Sequence, residues 1–79
     1  MNKDGLYVFS SKTCLPCKTL KRSLEAEGIE FTELDIAEHS DLANKHSVMS
    51  IPATFLIKHG RIMGSWIGGV SISKIKELL

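Results

Sequence analysis

Two cysteines stand close together in Thr13-Cys14-Leu15-Pro16-Cys17, and they are the only two in 79 residues. A thiol pair at this spacing can exchange electrons with a disulfide or open a zinc site. Zinc needs four ligands, and the chain has no second cysteine pair; His39, His46 and His59 lie on three separate stretches. A metal-binding module is thus an alternative, with no metal expected, and thiol-disulfide exchange is the leading chemistry. In that chemistry Cys14, at the start of a helix, is the attacking sulfur, because unpaired amides and the positive end of the helix dipole favour its thiolate. Cys17, one turn on and facing inward, resolves the mixed disulfide at high effective concentration. Pro16 stiffens the small ring, Leu15 is left as an exposed apolar contact, and Lys12, Thr13 and Lys18 are candidates for supporting the thiolate.

Positioning this pair requires a strand before it and a helix after it. Residues 6–9, Leu-Tyr-Val-Phe, read as a short buried strand ending at Ser10-Ser11. Beyond the cysteines, Cys17, Leu20 and Leu24 recur at helical spacing, with Lys18, Lys21, Arg22 and Glu25 on the other face and Gly28 as a stop. Residues 29–36 are expected as a strand that changes phase between Phe31 and Leu34, with a bend or bulge near its end. Ser40-Asp41 can cap a short helix reaching about His46. Residues 53–58 and 61–67 read as a hairpin turning at His59-Gly60, and Ser71 or Ser73 caps a last helix carrying Ile72, Ile75, Leu78 and Leu79. The order βαβ, α, ββα predicts an α/β fold with a mixed four-stranded sheet flanked by three helices. No repeat, linker or low-complexity stretch interrupts it, so residues 1–79 are expected to form one domain.

Composition narrows the function further. Ten basic and nine acidic side chains leave a formal charge of +1, without the basic footprint of a nucleic-acid or membrane-surface binder. The run Met1-Asn2-Lys3-Asp4-Gly5 leads into only four apolar residues, too few for a signal-peptide core or a membrane span, and the cytoplasm is the expected location.

Two segments resemble the thioredoxin and glutaredoxin superfamily. Cys14-Leu15-Pro16-Cys17-Lys18 is similar to the thioredoxin active-site run, with proline before the second cysteine and lysine after it. The stretch from Val48 through Ile51-Pro52-Ala53-Thr54-Phe55-Leu56-Ile57-Lys58-His59-Gly60, continuing to Gly68 and Ser71, resembles the second half of thioredoxin without a gap. The resemblance implies a thioredoxin fold. It also implies that the Ile51-Pro52 bond is cis and faces the cysteines, and that Ile51 pairs with an extended substrate segment beside Leu15, Pro16, Gly68 and Gly69.

The same resemblance implies a small monomeric oxidoreductase serving electron transport and cell redox homeostasis. It would bind no cofactor, work through a redox-active Cys14-Cys17 disulfide and reduce disulfide-containing proteins. Reducing equivalents would come from NADPH through a flavin-dependent thioredoxin reductase, or from glutathione. Two departures stand out: Thr13 replaces the family's tryptophan, and Val8 occupies the place of a buried aspartate that assists the second thiol. Glutathione-dependent glutaredoxins carry acidic residues after a Gly-Gly pair, whereas Gly68-Gly69 is followed by Val70 and Ser71. The alternatives are a glutaredoxin-like electron donor to ribonucleotide reductase or a glutathione-dependent glutaredoxin. From another class comes a redox-silent binding subunit using the same apolar surface. Met49 is expected on that surface, Trp66 either there or over the last helix, and His46 as a packing or surface residue.

Overall fold

In the computed structural model, which describes residues 3–79, the elements follow in the order β1 (Gly5–Ser10), α1 (Leu15–Ala26), β2 (Thr32–Asp35), α2 (Ser40–Lys45), β3 (Ala53–Lys58), β4 (Arg61–Ile67) and α3 (Ile72–Leu78). Met1 and Asn2, with which the N-terminal reading begins, lie outside the described residues. The four strands form one sheet in the order β2-β1-β3-β4. β1 runs parallel to β2, and β3 is antiparallel to both β1 and β4, so the sheet is mixed as expected.

Alternation along the strands sorts apolar side chains to the two faces. Leu6, Val8 and Leu56 meet Leu20 and Leu24 of α1 and Ile75 of α3 on one face. Tyr7, Phe9, Phe55 and Ile57 form the other face, with Leu34 and with Ala43 of α2. Phe9 and Phe55 meet edge to face with ring centroids 5.7 Å apart. Val8, Phe9, Leu24 and Ile75 are fully buried, each withdrawing enough apolar surface to contribute roughly 1.5–3 kcal/mol.

Residues 29–36 depart from expectation, for only Thr32–Asp35 pair as a strand. Gly28 adopts φ +68°, and the Ile29 N–H returns to the Leu24 carbonyl at 2.9 Å, so the chain after α1 closes the helix instead of extending the sheet. The phase change marks a change of face: Ile29 and Phe31 pack with the α1 side, Leu34 and Ile36 with the α2 side. The bulge lies elsewhere, between Leu56 and Ile57 in the β3–β4 pair.

The hairpin turn is where it was expected. His59 and Gly60 take φ +56° and +74°, the two positive values that a tight turn matched to strand twist requires. Asp4 holds this turn from outside, its carboxylate accepting the N–H groups of His59 at 3.0 Å and Gly60 at 3.4 Å. Ser40 is the first residue of α2 rather than its cap; His39 holds the cap position without a side-chain bond.

Candidate redox site

The connection from β1 into α1 carries the cysteines. β1 ends at Ser10, the Cys14 N–H donates to the Ser11 carbonyl at 3.3 Å, and Cys14 becomes the N-cap of α1 with Pro16 in the first turn. Pro16 suits that place because its missing N–H would have had no helical partner. Cys14 and Cys17 are joined as a disulfide, with Cα atoms 5.2 Å apart. One helical turn supplies that separation.

The two sulfurs sit in unlike surroundings. Cys14 is half-buried, and its Sγ accepts the Cys17 N–H at 3.2 Å. Cys17 is fully buried and heads the inward stripe it shares with Leu20 and Leu24. Leu15, between them in the chain, is 70% exposed.

A second loop approaches from across the sheet. The Ile51-Pro52 bond is cis, as the resemblance implied, and Pro52 is buried at the head of β3. The Gly68 N–H donates to the Pro52 carbonyl at 2.7 Å, so the chain leaving β4 is fastened to this loop; Gly69 beside it is exposed. Met49, 92% exposed, and the exposed Ile67 add apolar surface on the loop and at the end of β4. A groove of about 290 Å³ between α2 and this loop is lined by Ile36, Ala43, Val48, Met49 and Ile51 with Ser40, Asn44 and Ser50, and no charged side chain enters it. A larger depression of about 520 Å³ lies at the start of β1, the end away from the cysteines, and carries none of the site residues.

Charges gather on the other flank. Lys12, Lys18, Lys21, Glu33, Asp35 and Glu38 line one depression with Ser11. Lys12, Thr13 and Lys18 are exposed, and none of them bonds to either sulfur. Sequence reasoning missed the contact that organises this flank. Glu33 of β2 accepts the hydroxyl of the buried Ser10 at 2.6 Å and the ammonium of Lys21 at 2.5 Å. These bonds, first Lys21 and then Ser10, hold the Glu33 carboxyl below its ordinary value. No local pattern announces it, because the three residues come from three elements.

Trp66 resolves in favour of the last helix. It packs against the α1–α3 cluster, and a Cβ added at Gly64 would lie 2.6 Å from its ring and 2.9 Å from Leu78, which places the indole over Gly64 on the α3 side. His46 packs its ring on Phe55 at a centroid distance of 5.7 Å. Burial, and then the neighbouring charge of Lys45, pushes its pKa down. Among the described residues no three His, Cys, Asp or Glu side chains are grouped to hold a metal ion, and no helix is long and apolar enough to cross a membrane.

Comparison with known proteins follows the same lines as the geometry. The family model described as Thioredoxin matches residues 1–79. A thioredoxin from Echinococcus granulosus is 34% identical over 83 aligned positions, covering 96% of this chain and 77% of that protein. An NADPH-dependent thioredoxin reductase 3 from Arabidopsis thaliana is 31% identical over 75, covering 87% of this chain and 14% of that larger protein. Among solved structures, a thioredoxin from Nicotiana alata superposes with a TM-score of 0.82 at 25% identity, covering 99% of this chain and 72% of that one.

Proposed function

This chain belongs to the thioredoxin family and is a thiol-disulfide oxidoreductase, and from that premise we propose which atoms carry the reaction and what they act on. Cys14 is the attacking thiolate and Cys17 the resolving thiol. The observation that carries this assignment is the asymmetry of the pair: Cys14 caps α1 half-exposed with an amide aimed at its sulfur, while Cys17 is fully buried. That amide and the helix dipole favour the anion and hold the reduced Cys14 thiol below the ~8.5 of a free cysteine. Lys12 and Lys18 add positive potential, and Thr13 leaves the sulfur's outer side open; Lys21 contributes less because Glu33 neutralises it.

Reduction of a target proceeds in two displacements. The Cys14 thiolate attacks one sulfur of the target disulfide; a mixed disulfide forms and the other target sulfur leaves with its electron pair. Cys17, deprotonated, then attacks Cys14 Sγ, which closes the internal bridge and releases the second target sulfur. Two electrons pass to the target and no bound cofactor takes part. The target lies as an extended segment along Ile51 and Pro52, against Leu15, Pro16, Gly68 and Gly69. The exposure of Leu15 and the Gly68–Pro52 bond that gathers these residues support this placement.

We read residues 1–79 as one thioredoxin-like domain, which the family match over those residues supports, and assign it to the cytoplasm as a monomer. Its targets are disulfide-containing proteins, ribonucleotide reductase among them. Its reductant is a flavin-dependent thioredoxin reductase drawing on NADPH, supported by the similarity to part of a protein bearing that name. The comparisons favour this over the glutaredoxin alternatives, and Val70 and Ser71 after the Gly-Gly pair do not supply the acids that would hold glutathione.

Insulin reduction driven by NADPH with thioredoxin reductase, run beside glutathione with glutathione reductase, tests the proposal. Activity in the first system and its loss in Cys14→Ser are expected. Full activity in Cys14→Ser would overturn the assignment, and target binding that survives loss of both sulfurs without turnover would point to a binding subunit.

A further inference from the structure

Thr54 is fully buried, and its Oγ1 finds no hydrogen-bond partner among the described residues. An orphaned buried hydroxyl costs stability, and its presence calls for a reason. Its position supplies one. Thr54 faces Val8 across the β1–β3 pair, so the two share a face of the sheet. Val8 packs on that face with Leu20 and Leu24 of α1, and Cys17 is the third buried residue of the same helix stripe. α1 starts where β1 ends, and β3 starts at Ala53 beside Phe9, so the first turn of α1 and the head of β3 occupy the same end of the molecule. Cys17 and Thr54 are therefore fully buried on one face at one end, and the other fully buried hydroxyl there, that of Ser10, is already committed to Glu33.

Resting on the assignment of Cys17 as resolving thiol, we propose that the Thr54 hydroxyl is the internal hydrogen-bond partner of the Cys17 sulfur once the bridge is reduced. In the disulfide, Cys17 Sγ is tied to Cys14 Sγ and the Thr54 hydroxyl makes no bond to it; reduction frees the Cys17 side chain to turn toward that hydroxyl. During turnover the target thiolate released in the first displacement takes the Cys17 proton. The buried Cys17 anion then accepts the Thr54 O–H bond until it attacks Cys14 Sγ. Val8 offers nothing polar on this face, and the Glu33 carboxylate beside it is taken up by Ser10 and Lys21, so the Thr54 hydroxyl is left to offset part of the cost of burying that anion.

The experiment forms a mixed disulfide on reduced protein with Ellman's reagent and follows first-order release of the second thionitrobenzoate as Cys17 attacks Cys14. Thr54→Val keeps the shape and removes the hydroxyl; Thr54→Ser keeps the hydroxyl. Release in Thr54→Val should slow by about tenfold, the scale of one hydrogen bond to a charged atom, with the Cys17 thiol titrating at correspondingly higher pH by carbon NMR. Thr54→Ser should restore both. Unchanged release and titration in Thr54→Val, or equal slowing in Val and Ser, would overturn the proposal. If no adduct forms on Cys14 in the unaltered protein, the assignment of Cys14 fails, and this proposal with it.

Discussion

The Gly68 N–H donates to the carbonyl of Pro52 at 2.7 Å, fastening the chain that leaves β4 to the loop that enters β3. Gly68 makes this bond at φ +79°, while Gly69 has ordinary φ and open space where a side chain would stand. Left-handed backbone costs a residue bearing Cβ roughly 1–2 kcal/mol. Gly68→Ala should lower unfolding free energy by about that amount in urea titrations and raise KM for insulin, and Gly69→Ala should change stability little. Equal stability in the two variants would contradict this account of the loop.

The unlike settings of the two sulfurs predict selective labelling. In the reduced protein near neutral pH, iodoacetamide should modify Cys14 well before Cys17, and its rate should titrate with a midpoint below the ~8.5 of free cysteine. Cys17→Ser should retain the fast reaction and accumulate target mixed disulfides, since Cys14 can still attack but nothing resolves it. Peptide mapping of the alkylated protein would expose the reverse order if the assignment is inverted.

Acid sensitivity should trace in part to Glu33. Lys21 and Ser10 hold its folded pKa below the ordinary 4.5, so the unfolded chain binds the proton first. Its contribution is present above about pH 4.5 and is lost as pH falls through the folded value. The Glu33 side chain is 42% exposed, and solvent screening limits the pair with Lys21 to under about 1 kcal/mol. Glu33→Gln should flatten the acid limb of stability against pH, and an unchanged slope would count against the contact.

His46 acts in the same direction at higher pH. Burial against Phe55 and the charge of Lys45 lower its folded pKa from the ordinary 6.5. Its neutral form is favoured in the fold, so stability is highest above pH 6.5 and declines as pH drops below it, where the unfolded chain takes up the proton. Urea midpoints measured at pH 7.5 and 5.5 should differ more in the parent than in His46→Phe. A pH difference that survives intact in the variant would assign the effect to another group.

Features that depend on a few neighbouring residues were legible before any fold was known. Cysteines one turn apart with proline between them announce a helix start, Gly28 announces its end, and His59-Gly60 lies between two β-branched and aromatic runs; each follows from backbone geometry and periodicity over a handful of positions. The mixed sheet followed from the element order. Residues 29–36 misled because alternation reveals that a side chain is buried but not against which layer, and two layers exchange roles there.

The amino-acid order alone determined the redox pair, the hairpin and the sequence of strands and helices, because those rest on short-range stereochemistry. Only the tertiary structure decided that Trp66 covers α3, that Ser10, Glu33 and Lys21 share one carboxylate, and that Thr54 lies unpaired on the face that carries Cys17. These depend on which elements become neighbours, a matter set by burial summed over the whole chain, with no local signature at the residues concerned.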